Sequence, residues 1–268
     1  MNHGSGHHAE HTTALPGGLQ VSQDGYTLEL KTLRIAAGEE ALLCFAVTDV
    51  SGKAVTDYIK VHGKDLHLII ASRDLNAFDH LHPALGPDGT WSTSVNLPAA
   101  GDYRLFADFT PKGADALTLG ADLAVAGSYQ PRDLPAQKPT AEVDGYTVTL
   151  DGALTPATMS KLTLSVARNG KPVTDLEPYL GAYGHLVALR SGDLAYLHVH
   201  PEGEPGDDTT KPGPDISFMA AAPSHGTYRL FLDFQHEGTV RTAAFTVRTS
   251  AAPDADTGHE SHSSGGHH

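Results

Sequence analysis

The chain carries a single cysteine, Cys44, so no internal disulfide can form. Its place in the apolar run 41–47 predicts a buried structural thiol. Positive charge is also scarce, with 18 Lys and Arg against 32 Asp and Glu for a formal net charge of −14. A chain this acidic, with no basic stripe, is not built to neutralise nucleic-acid phosphates or to sit on an anionic membrane surface. No apolar stretch approaches the ~20 residues of a spanning helix, and the first residues lack the apolar core of a signal peptide. The expectation is a chain that is either cytoplasmic or an exported ectodomain without its leader. Helical periodicity is scarce as well. No nucleophile–base pair and no paired carboxylates stand out, so no enzyme is expected.

Turn residues and histidine, by contrast, are abundant. The 28 Gly and 17 Pro punctuate short apolar bursts and alternating runs, which is the pattern of strands and turns. There are 17 histidines, and eight of them lie near the ends, at His3, His7, His8 and His11 and at His259, His262, His267 and His268. The surrounding Gly, Ser, Ala and Thr predict disordered metal-collecting arms over residues 1–16 and 249–268.

Between the ends the sequence repeats itself. Asp24-Gly25-Tyr26-Thr27 recurs as Asp144-Gly145-Tyr146-Thr147, and His67, His80, His82 and Pro83 recur as His185, His198, His200 and Pro201, a shift of 118. Tyr103-Arg104-Leu105-Phe106 and Asp108-Phe109 recur as Tyr228-Arg229-Leu230-Phe231 and Asp233-Phe234, a shift of 125. The extra residues fall in the Gly-, Pro- and Asp-rich loop 202–214 of the second copy. Two copies, 17–127 and 138–248, joined by a Pro-rich linker at 128–137, predict an all-β chain of two tandem β-sandwiches of immunoglobulin or cupredoxin type. Gly101 before Tyr103 and Gly226 before Tyr228 resemble the tyrosine corner of such sandwiches.

The histidines of each copy sit in a predicted β-hairpin. With the first turn centred between Asp74 and Leu75, His67 lies opposite His82 and diagonal to His80. The period of two then turns all three imidazoles to one face and Leu66, Leu68, Ile70 and Leu81 to the other. The same reasoning sets His185 opposite His200 beside His198. Opposed positions lie ~4.5–5.5 Å apart at Cβ, close enough for imidazoles to share one ion at ~2.0–2.1 Å. Asp108 and Asp233 each interrupt an apolar strand, as a fourth ligand or as the acceptor that orients an imidazole. Three histidines with a carboxylate and no thiolate favour Cu(II) or Zn(II). His62, His225 and His236 have no counterpart in the other copy and read as surface histidines, although His225 and His236 flank the strand of Asp233.

His67-Leu68-Ile69-Ile70, Phe78-Asp79-His80-Leu81-His82-Pro83, Tyr103-Arg104-Leu105-Phe106-Ala107-Asp108-Phe109 and Tyr196-Leu197-His198-Val199-His200-Pro201 resemble blocks of actinobacterial exported or membrane-anchored proteins described as heavy-metal-binding. The resemblance covers nearly the whole chain between its ends. It implies metal handling outside the cytoplasm, at the cell surface or after secretion, by buffering, sequestration or delivery to a protein partner. The expected state is a monomer with one three-histidine site per copy. The competing expectation is a non-catalytic adhesion or scaffold module in which the histidines are incidental.

Overall fold

The computed structural model describes residues 15–250, apart from residue 198 and the side chain at position 200. The histidine-rich ends and His198 therefore lie outside the described residues. Among the described residues there is no helix long and apolar enough to cross a membrane.

Each copy folds as a two-sheet immunoglobulin-like sandwich. In the first, one sheet runs Ser22–Gln23, Tyr26–Leu30, Ala41–Thr48, Thr90–Val95 and Ala84–Leu85, and the other runs Arg34–Ala36, Leu117–Ala126, Gly101–Pro111, Leu66–Ser72 and Phe78–Leu81. The second copy repeats the plan. Thr140–Val143, Tyr146–Asp151, Met159–Arg168, Asp215–Ala221 and Val199–Pro201 form one sheet, and Tyr196–Leu197, Gly184–Arg190, Thr227–His236 and Thr239–Arg248 form the other.

Strand alternation determines which residues fill the cores. Leu43, Phe45 and Val47 enter the first core while Leu42 stays exposed. Cys44, expected to be buried, shares the outward parity of Leu42 and is only half-buried. Both tyrosine corners form: the Tyr103 hydroxyl donates to the Ala99 carbonyl at 3.0 Å, and that of Tyr228 to Ser224 at 2.8 Å. Each ties the loop entering its long strand back onto that strand's first turn.

The two sandwiches are not beads on a linker. Ile69, Ala71, Leu75 and Phe106 of the first copy form one buried apolar cluster with Val187, Leu189, Leu194 and Phe231 of the second. Ile69, Ala71 and Phe106 match Val187, Leu189 and Phe231 in the repeat, so the copies meet through equivalent sheet faces, as in a twofold dimer. Phe78 stacks on Phe231 with centroids 4.0 Å apart, and the matching pair Phe106 and Tyr196 lies at 5.7 Å. The linker belongs to this interface: Leu134 packs on the cluster, and the Asn76 amide donates to the Arg132 and Asp133 carbonyls at 3.3 Å.

Candidate metal centre

The strand Leu66–Ser72 pairs with Phe78–Leu81 in the register Leu68 with Leu81 and Ile69 with His80, the register expected from the turn. Leu66, Leu68 and Ile70 fill the core of the first sandwich, with Leu81 packed against it. His67 and His80 therefore face outward, towards the second copy. That face is an interface in place of the open polar surface a lone sandwich would present.

Three imidazoles converge there. His67, His80 and His82 each offer a ring nitrogen, all within 4.8 Å of one another. Nδ1 of His67 lies 3.2 Å from Nε2 of His80 and 3.2 Å from Nε2 of His82. Ligands on one ion at ~2.0–2.1 Å and tetrahedral angles sit about 3.3 Å apart, so the donor spacing fits a tetrahedral divalent ion.

The remaining nitrogens assign the protons. His67 Nε2 is 3.0 Å from the Val61 carbonyl, an acceptor only, so Nε2 carries the hydrogen and Nδ1 is bare. His80 Nδ1 is 2.8 Å from Oδ2 of Asp233 and donates to it, so in the neutral ring Nε2 is the bare nitrogen. Asp233 is itself buried, and its other oxygen accepts from the Thr242 hydroxyl at 2.6 Å. Burial and the neighbouring imidazoles push His67 down to about 4 and His82 to about 3. Both rings are thus neutral, the form that ligates.

The second copy contributes differently from expectation. Asp233 was expected to serve its own copy and instead reaches across the interface to His80. The ladder of Gly184–Arg190 reaches only Leu197, after which Val199–Pro201 crosses to the other sheet and the backbone of His200 pairs with Met219. His200 thus does not pair with His185, because the second copy's chain leaves the hairpin sooner, and Met219 was missed as its neighbour. His185 keeps the geometry of His67: its Nε2 is 2.7 Å from the Tyr179 carbonyl, and burial lowers it to about 4. It faces the same cleft, with its ring centroid 6.2 Å from that of His80. His236 lies on the opposite face of its strand from Asp233, bonded to the Tyr146 hydroxyl at 2.7 Å and to Asp175 at 3.1 Å. His225 is exposed at a loop.

A cleft of about 240 Å3 opens beside the triad, lined by His62, His67, His80, Asp108, His185 and Tyr196 among others. His62, discounted from sequence, sits in a left-handed turn with φ 50° and brings its ring to 5.2 Å from that of His185. The turn sequence His62-Gly63 was the available signal. Asp108 pairs with His67 in the strand ladder and accepts from the Thr118 hydroxyl at 3.2 Å. Burial pushes its carboxyl up to about 6.

No curated protein matches the chain. Among solved structures it is similar to the Escherichia coli adhesin FdeC, at 14% identity over 88% of this chain and 66% of that chain, with a TM-score of 0.26. Yersinia pseudotuberculosis InvD matches at 12% identity over 86% of this chain and 59% of that chain, TM-score 0.27. Salmonella alpha-2-macroglobulin matches at 14% identity over 88% of this chain and 15% of that chain, TM-score 0.29. The chain thus spans less than two thirds of each of these proteins, and TM-scores below 0.5 carry no functional inference. Residues 20–126 and 141–251, the two sandwiches described above, each match one family model, and the chain belongs to that family, Domain of unknown function (DUF8832).

Proposed function

We propose that this chain is a non-catalytic metal-binding protein that holds one divalent ion, Cu(II) or Zn(II), on Nδ1 of His67 and Nε2 of His80 and His82. One observation carries the reading. Nδ1 of His67 and Nε2 of His80 face each other at 3.2 Å, and with both rings neutral their outer hydrogen bonds leave neither with a proton to share. Two opposed lone pairs in a half-buried site repel, and a cation between them turns that repulsion into two bonds. The all-nitrogen donor set favours borderline divalent ions. The outer acceptors, Val61 and Asp233, are the supporting bonds that metal-bound imidazoles normally have. Buffering, sequestration or delivery to a protein partner outside the cytoplasm suits such a site. That location rests on the sequence resemblance alone.

The competing reading, an adhesion or scaffold module with incidental histidines, draws on the sandwich fold, which often serves as an interaction domain. Metal analysis and calorimetric titration separate the two. The full chain is used with its eight terminal histidines replaced by serine. It is expected to bind Zn(II) or Cu(II), and the double substitution His80→Ala with His82→Ala is expected to remove one equivalent. A protein that binds neither ion leaves the scaffold reading in place.

A further inference from the structure

The triad lies in the first copy, but the group that orients His80 comes from the second. His80 and Asp233 are 153 residues apart in sequence and meet at 2.8 Å across the interface. The aromatic stack is built on the same two strands. Phe78 lies two residues before His80 and Phe231 two before Asp233, so strand period two puts each aromatic on the same face as its polar partner. Docking that stacks Phe78 on Phe231 at 4.0 Å therefore also delivers the carboxylate to the imidazole.

Asp233 is costly where it lies. It is 3% exposed, and burying a carboxylate without partners is strongly unfavourable. Thr242 satisfies one oxygen at 2.6 Å, and His80 satisfies the other. In return the carboxylate fixes the tautomer of His80. With the proton on Nδ1, the bare Nε2 of the neutral ring points at Nδ1 of His67. With the opposite tautomer, His80 would present N–H to His67, form an ordinary hydrogen bond and close the site to a cation. The negative charge also offsets part of the charge of a bound dication.

We infer that the second copy is the other half of the first copy's metal centre: Asp233 is a positioning residue that holds His80 in its ligating tautomer, so metal affinity of the triad depends on docking of the two copies. This rests on the metal-binding reading above. The duplication has thus placed this centre at the interface, with its ligands and the Val61 carbonyl from the first copy and the carboxylate that orients His80 from the second.

The test compares the full chain, its terminal histidines replaced by serine, with Asp233→Ala, Asp233→Asn and Asp233→Glu. The probes are Zn(II) alone for affinity and Cu(II) alone for its electron paramagnetic resonance spectrum. Far-ultraviolet circular dichroism verifies that each variant is folded. Loss of a bond that orients a ligating histidine typically costs about 10–100-fold in affinity. Asp233→Ala is expected to fall in that range and to change the Cu(II) spectrum. Asp233→Asn keeps the shape and an acceptor oxygen but not the charge, and is expected to fall between Ala and wild type. Asp233→Glu is expected to recover part of the loss. A spectrum and affinity unchanged in the folded Ala and Asn variants would overturn the positioning role while leaving metal binding intact. Failure of the parent protein to bind either ion would overturn the metal reading and this inference with it.

Discussion

Acidification of the metal-free protein tests the electrostatics of the centre directly. His67 titrates at about 4 in the folded chain because burial disfavours its charged form, against an ordinary value near 6.5. Between those values the unfolded chain binds a proton that the folded chain refuses. Stability from this group therefore falls as pH drops through 6.5, and the loss stops growing below about pH 4. At pH 5 the cost is about 2 kcal/mol, and at pH 7.5 it is close to zero. His82 and His185 are lowered for the same reason and act in the same direction. Asp108 and Asp79 act oppositely. Burial raises both carboxyls to about 6, so their ionisation costs stability above that pH and acidification returns it. The total slope is a sum of both signs, and a variant difference isolates the histidine. Urea unfolding in the presence of a chelator, at pH 7.5 and pH 5, should show that His67→Gln loses roughly 2 kcal/mol less than wild type over this interval. Equal losses in the two proteins would refute the claim that His67 is held neutral by burial.

The same depression bears on the metal. Zn(II) affinity should fall less between pH 7.5 and pH 6 than that of an ordinary histidine peptide, because His67 and His82 bind no proton in that range; titration at the two values checks this, and a loss as steep as that of a free histidine peptide would count against the buried triad. Phe231→Ala removes the ring that stacks on Phe78 and should cost about 3–5 kcal/mol, read by calorimetry as a shift from joint to separate melting of the two sandwiches. Tyr103→Phe and Tyr228→Phe each delete a corner hydrogen bond and should cost about 0.5–1.5 kcal/mol with no change in metal binding. Limited proteolysis should cut the loop 202–214 before the linker 128–137, because Leu134 is packed and the carbonyls of Arg132 and Asp133 are bonded.

The hairpin shows how far local rules reach. The turn at Asp74 and Leu75 and the alternation of Leu66, Leu68 and Ile70 are enough to place His67 and His80 on one face, and the strand register agrees pair by pair. The same rules failed in the second copy. There Val199–Pro201 pairs with Asp215–Ala221 of the opposite sheet, and no local pattern reports such a long-range choice of partner. Cys44 was misjudged for a related reason: an apolar run does not reveal which of its residues face outward until the strand has partners.

The sequence by itself determined that the chain is a duplicated sandwich, where its strands alternate, and that the first copy turns His67 and His80 to the face away from its core. These follow from repeats, turn residues and period two, all of which act over a few residues. Only the tertiary structure decided what that face meets. The pairing of Asp233 with His80, the stack of Phe78 on Phe231 and the entry of His62 into the cleft join residues from opposite copies. They are selected by the fit of two apolar faces, a property of folded surfaces that no stretch of sequence carries alone.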